Sequence, residues 1–415
     1  MRSIRKEIPE ALAAGQDHDD AEVAAMLREI GIALVECVQP TQLVTARLLA
    51  IAGQYTRHTV RVLVLPTALV VQVGTVAYEV ETIMKPTTQL NLAGEIDAIA
   101  DLAEVGAITP ADAVREVSAA RTMPARFGPV VTVIGYTITT LGFGMVINPT
   151  WASLWGYVFL GTGVGAIHIL GRPFPTLNAV LPTLAAMVVT VLATWFVADA
   201  ANDGLLRVIS PPLVAILPGL ALTIASMELA SSQVISGASR LIYGVAQLML
   251  LVFGVGLGIH LAGRVAPQDP SPQMGGWSLY VAVVVIAIGL YIYLSAPKGS
   301  LVWLMLAVGV ALVGQEVGGL FLPPTNAGAV GAFLVVPFAA LAARIRSSPP
   351  AIVMMLAAFW ALVPGALSFE TLGEAAAGDR DISTLGTTVA AIFSIALGTL
   401  VGWSVFTTIH GRRGS

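Results

Sequence analysis

PPLVAILPGLALTIASMEL, residues 211–229, is the stretch on which the fold turns. The apolar run that contains it is long enough to cross a hydrocarbon layer about 30 Å thick. Yet Pro218-Gly219 interrupts it, and Glu228 sits near its end. Proline deletes a helical hydrogen bond and clashes with the carbonyl four residues back, while glycine costs about 1 kcal/mol relative to alanine. A buried carboxylate is costlier still. Together the three predict a broken membrane helix whose irregular backbone faces protein or a wet hollow, never lipid.

Composition agrees with a membrane setting. The 415 residues are 56% hydrophobic and 11% charged, with mean hydropathy +0.84, against roughly 25% charged in soluble globular chains. Of 46 Lys, Arg, Asp and Glu residues, 27 precede residue 127. That distribution predicts a soluble N-terminal domain followed by a membrane domain. A net charge of −4 offers no basic stripe, so nucleic acid is not an expected partner. One cysteine, Cys37, rules out an intramolecular disulfide and a Cys-rich metal site. The opening residues carry positive charge with no apolar run behind them, unlike a secretory signal, and 1–20 reads as a disordered tail.

Residues 21–126 read as a small α+β domain. Val23, Met26, Leu27, Ile30, Leu34 and Val38 recur at helical spacing over 21–38, and a second helix covers 42–54. The β-branched run from Thr59, broken at Pro66 and Gly74, predicts three short antiparallel strands. Two further helices are split by Gly106, with Thr109 as N-cap and Pro110 in the first turn. Asp97, Asp101, Glu104 and His58 read as a solvated helix face.

Ten apolar runs follow, near 127–147, 151–170, 177–198, 208–229, 239–262, 277–296, 300–322, 325–345, 350–371 and 385–409. With the N-terminal domain in the cytoplasm, inner loops and ends hold ten Lys or Arg residues and outer loops three, as the positive-inside rule requires. Trp151, Trp155, Trp277 and Trp403 fall near span ends, as an aromatic belt would place them.

Two five-helix halves are visible in this order. Gly-x-x-x-Gly falls at Gly161/Gly165, Gly254/Gly258, Gly314/Gly318 and Gly398/Gly402, in spans 2, 5, 7 and 10. The Pro-Gly pair recurs as Pro364-Gly365 in span 9, and the offsets are 153, 146 and 144 residues. Five spans per half force the second half to insert upside down, which predicts inverted repeats over 127–262 and 277–409, a linker at 263–276 and a tail at 410–415. Interrupted helices in inverted repeats point to a transporter with its site at the repeat interface. Glycine pairs also serve plain helix packing, and they fit a monomer or a homo-oligomer.

The stretch ILPGLALTIASMELASSQVISGASRL resembles the signature of the threonine/serine exporter family, with Pro218, Glu228 and Arg240 at the matching positions. FWALVPGALSFETL is similar to that family's C-terminal membrane module, and NLAGEIDAIADLAEVGAITPADAVREV to its N-terminal domain. CVQPTQLV and Met84-Lys85-Pro86 depart from the family pattern. The resemblance implies both membrane halves fused in one chain. It also implies proton-motive-force-driven export of threonine and serine. The expected setting is a bacterial cytoplasmic (inner) membrane, with both termini cytoplasmic by the count of basic residues and no cofactor.

The breaks, Leu217, Pro218 and Gly219 with Thr223 one turn on, and Val363, Pro364 and Gly365, are the candidate amino-acid site, since amides at the start of a half-helix suit a carboxylate. Glu228 and Arg240 are candidates for gating or proton coupling, or for a structural ion pair. Glu316, between Gly314 and Gly318, is expected to face the protein interior as a proton relay or structural group, and Glu370 mirrors Glu228 near the outer surface. His168 and His260 titrate near working pH but lie near helix ends. Asn178, Thr183 and Gln247 read as interhelical hydrogen-bonding groups.

No P-loop, H-E-x-x-H, Cys-x-x-Cys or G-x-S-x-G pattern occurs, so the reading is a transporter, not an enzyme. An exporter of a dicarboxylate such as succinate is the alternative, favoured by a site with two cationic groups. A membrane-anchored sensor or hydrolase is the alternative of another class.

Overall fold

The structure, a computed structural model, describes residues 18–81, 89–171, 180–197, 204–263, 271–362, 369–370 and 382–411. In the N-terminal part, α1 (Asp20–Glu36) buries Val23, Met26, Leu27, Ile30 and Leu34, the set with helical period. Val38, expected to continue that helix, stands beyond its end at φ 60°. α2 (Thr41–Tyr55) follows at once. β1 (Val60–Leu65), β2 (Ala68–Val73) and β3 (Val76–Glu81) form the expected antiparallel meander, with Leu65 opposite Ala68 and Val73 opposite Val76. Gly74 turns at φ 54°, and a Cβ there would strike the Asp20 carboxylate. Leu69 of β2 packs beside Gly31 of α1. α3 (Leu90–Glu104) and α4 (Pro110–Arg121) part at Gly106, φ 68°, and the Thr109 hydroxyl accepts the Asp112 N–H at 3.2 Å.

Beyond Arg126 the described elements are helices: α5 (Pro129–Ile147), α6 (Ser153–Gly171), α7 (Leu181–Phe196), α8 (Leu205–Leu213), α9 (Gly219–Ala230), α10 (Val234–Ala262), α11 (Trp277–Tyr293), α12 (Leu301–Gly318), α13 (Gly328–Ala342), α14 (Ala351–Ala361) and α15 (Ile382–Gly411). By length and apolar composition α5, α6, α10 and α12 can cross a membrane; α7, α9, α11, α13, α14 and 389–405 are shorter apolar helices. The run over 208–229 is two helices, α8 and α9, parted at the Pro-Gly pair.

Glycines set how these helices meet. A Cβ on Gly254 or Gly258 of α10 would strike the carbonyls of Thr183 and Met187 on α7, and one on Gly398 or Gly402 of α15 those of Ala329 and Phe333 on α13. Backbones touch there because no side chain intervenes. Proline at 337 removes the N–H that would bond the Phe333 carbonyl, and that carbonyl faces Gly402. The other two glycine pairs are not equivalent: Gly161 and Gly165 face α5, whereas Gly314 and Gly318 face α13. The registers give directions. α7 and α10 run parallel, as do α13 and α15, while α5 runs antiparallel to α6 and to α11.

One end of this assembly carries the N-terminal part. The N–H groups of Leu90 and Asn91, unpaired within α3, donate to the Leu294 and Ser295 carbonyls beyond α11 at 2.8 and 3.3 Å. Gly94 of α3 lies against Val353, Pro297 and Pro350, and Arg126 donates to the Ala296 carbonyl and to the Tyr291 hydroxyl.

Cys37 reports on this packing. It is 1% exposed, and burial, with Glu36 and Asp97 nearby, pushes its thiol up to about 12. At pH 8 that leaves about one thiolate in ten thousand. Native protein should therefore resist maleimide for hours and label fully once denatured. Rapid stoichiometric labelling of native protein would contradict the packing.

Candidate functional site

The break between α8 and α9 has a defined backbone. The N–H groups of Ile216 and Leu217 both turn back to the Leu213 carbonyl. Among the described residues, no backbone N–H reaches the carbonyls of Val214, Ala215, Ile216 or Leu217. Pro218 stands at the N-cap of α9, and Thr223, 2% exposed, donates its hydroxyl to the Gly219 carbonyl at 3.0 Å. The Pro212 carbonyl is held from outside: the buried Tyr136 hydroxyl of α5 donates to it at 2.8 Å. Tyr136 packs edge-on against Tyr293, whose ring also meets His168 and Trp360, centroids 5.0, 6.2 and 6.2 Å away. Tyr293 therefore joins half-buried His168 to the first break and to α14, which leads toward the second. Val363, Pro364 and Gly365 lie outside the described residues, as does Asn178.

At the far end of α9 sits Glu228, 0% exposed. Its Oε1 accepts the Thr41 backbone N–H at 2.9 Å and the Thr41 hydroxyl at 3.0 Å. Its Oε2 lies 3.2 Å from Nε of Arg240, itself 5% exposed. Pro40, the N-cap of α2, supplies no side-chain cap, so a carboxylate 187 residues away caps that helix and meets its positive dipole end. Both readings of this pair from sequence, structural and functional, start from a real contact. Among the described residues Glu228 Oε2 and Arg240 Nε and Nη2, all buried, have no hydrogen-bond partner of good geometry.

Beside this contact lies a cavity of about 480 Å³. Leu220, Ile224 and Met227 of α9 form one wall, and Met355, Leu356 and Phe359 of α14 another. α15 adds Thr399 and Trp403. The N-terminal part adds a further wall with Gln39, Pro40, Gln42 and a charged cluster in which Arg47 bonds Asp97, Asp101 and Glu104 at 2.6, 2.7 and 2.5 Å. Burial alone would lower the Arg47 pKa; Asp97, Glu104 and Asp101 outweigh it and raise it above the usual arginine range. These carboxylates are thus not a plain solvated face, although half the Asp101 side chain stays exposed at 47%.

Glu316 corrects an expectation. It is exposed, while Gly314 and Gly318 are buried against α13. Two residues along a helix turn about 200°, so glycines at i−2 and i+2 place the residue between them on the opposite face. The polar group nearer that interface is the partly buried Gln315. Glu370 is half-buried.

The model of the threonine/serine exporter family, ThrE, matches residues 25–262, which is 238 of the 415 residues. The chain belongs to that family. Searches among curated proteins and solved structures gave no match. The match runs from α1 to the end of α10, so in this exporter-family chain it takes in the first break, Glu228, Arg240 and the N-terminal wall of the cavity. The similarity read in FWALVPGALSFETL lies beyond it. A multi-pass transporter of this family fits a non-enzyme reading.

Sequence reasoning missed Thr41, Arg47, Tyr136 and Tyr293. Spacing held a signal for Arg47 alone, because Asp97, Asp101 and Glu104 fall at i, i+4 and i+7 on one face and face a cation from another helix.

Tyr136→Phe tests the bridge to the broken helix. It removes the donor from a buried carbonyl and should cost about 1–3 kcal/mol of stability, read as earlier thermal unfolding in detergent. An unchanged midpoint would mean that the Pro212 carbonyl has another partner.

Proposed function

We propose that this chain is a secondary-active exporter of small hydrophilic amino acids, threonine and serine foremost, whose path runs between the two helices that carry the Pro-Gly pairs. One observation carries the reading: α9, which begins at Gly219, and α14, which ends three residues before Pro364, line the same cavity. The N-terminal segment lines that cavity, where a vestibule on the donor side of an exporter would stand.

Packing supports ten alternating spans in two inverted halves. Counting α8 and α9 as one span, the parallel pairs α7/α10 and α13/α15 are the third and fifth spans of each half. The antiparallel pair α5/α11 joins the two first spans. The helix ends that meet the N-terminal segment, those of α5, α9, α11 and α14, are the ones an alternating traverse puts on one side. We read that side as cytoplasmic, with residues 21–126 as its domain, both termini inside and a bacterial inner membrane around the helices.

Charge supports an amino acid over a dicarboxylate. The described lining holds three carboxylates and one guanidinium, a net negative wall that favours an ammonium and repels a second carboxylate. With no nucleotide-binding pattern, the drive is an ion gradient, worth about 2.3 kcal/mol per charge per 100 mV. Among the coupling candidates Glu228 is the buried carboxylate, already tied to a cation and to the start of α2. We assign proton coupling to it, with substrate and proton competing for one group.

The test is transport by purified protein in proteoliposomes, with labelled L-threonine, L-serine and succinate, with and without a pH gradient. Threonine and serine should move and respond to the gradient while succinate stays at background. Gly219→Leu should slow transport at least about tenfold by filling the break. Succinate transport without threonine transport, or neither, would overturn the reading.

A further inference from the structure

We propose that Glu228 and Arg240 form a recognition site for a β-hydroxy amino acid, and that Thr41 occupies it in this structure as a built-in substitute for the substrate. The proposal rests on the exporter reading and adds what reads the substrate.

The geometry is that of a bound threonine. Thr41 gives the Glu228 Oε1 two donors, its N–H at 2.9 Å and its hydroxyl at 3.0 Å, borne on adjacent carbons. Free threonine and free serine carry an ammonium and a hydroxyl on the same two carbons, so either can present the same pair to the same oxygen. An amino acid without the hydroxyl supplies only one of the two. The ammonium adds charge, which makes its hydrogen bonds to a carboxylate stronger than those of a neutral amide.

The match also fails where a residue within a chain must fail. A free amino acid has an α-carboxylate; Thr41 has a peptide carbonyl there, and that carbonyl accepts the Thr45 hydroxyl at 2.9 Å. Buried Arg240 turns its Nε to the Glu228 Oε2 at 3.2 Å, but its Nη2 has no acceptor among the described residues. A guanidinium 5% exposed with its Nη2 unanswered is costly to leave so, and a carboxylate is the acceptor it suits. A purely structural cap for α2 would need no such open group. The α-carboxylate of a zwitterion would satisfy the Nη2 that Thr41 leaves open.

Access is short. Pro40 and Gln42 flank Thr41 in sequence, Met227 precedes Glu228, and all three line the 480 Å³ cavity. Withdrawal of the first turn of α2 would open Glu228 and Arg240 to a molecule waiting there. The substrate then competes with Thr41, and its binding frees the N-terminal segment from α9.

Binding of labelled L-threonine to the purified full chain in nanodiscs tests this, with L-serine, L-2-aminobutyrate and succinate as competitors. Thr41→Val removes the hydroxyl but not the shape, and should bind L-threonine about five- to tenfold more tightly, because the substitute has lost one hydrogen bond. Thr41→Ser should match wild type. L-2-aminobutyrate, which lacks only the hydroxyl, should compete at least about tenfold more weakly than threonine. Glu228→Gln should abolish that preference. If threonine binds but Thr41→Val leaves its affinity unchanged, the substitute role is wrong while the exporter reading stands; the Thr41→Val arm decides even if Glu228→Gln does not fold. The recognition site is equally wrong if Glu228→Gln folds and keeps the hydroxyl preference. If no variant binds any amino acid, both proposals fall.

Discussion

A carboxylate that water cannot reach must be answered by protein. Glu228 is answered by Thr41 at the start of α2 and by Arg240 on α10, and this constraint ties the N-terminal segment to the apolar helices. Removing one partner of such a buried pair costs about 3–5 kcal/mol, because the charge left behind is uncompensated. The junction is therefore stiff when made and strongly unfavourable when half made. That is the behaviour expected of a closure which opens only when something else takes the vacated position.

The same economy of polar groups runs through the helices. Proline at 212 and 218 and the turn between α8 and α9 strip carbonyls of their helical partners. Tyr136 answers one of them, and its ring leads through Tyr293 to Trp360 and His168. At 337 the proline releases a carbonyl toward Gly402, where a missing side chain lets two backbones touch. Irregular backbone is thus kept against protein, and the cavity between α9 and α14 opens beside it.

Much of this is legible in the sequence for identifiable reasons. The meander follows from β-branched runs cut at Pro66 and Gly74, and the α4 cap from Thr109 and Pro110. The break follows from what proline does to a helix. Glu316 misleads because flanking glycines suggest burial, when a two-residue step turns to the opposite side of a helix. Thr41 cannot be read at all. Its role depends on a helix start meeting a residue 187 positions away, and no local pattern encodes that meeting. Arg47 lies between these cases, since three acidic residues at helical spacing announce a face without naming its partner.

Glu228 holds the α2 amide at Thr41 until a hydroxy amino acid displaces it, and substrate entry depends on that exchange. Amide hydrogen exchange at Thr41, followed on the full chain in nanodiscs, reads this directly. Protection at rest, lost on adding L-threonine and kept on adding succinate, is the predicted result. A Thr41 amide that exchanges at rest as fast as an unstructured one, or whose protection ignores threonine, would contradict it.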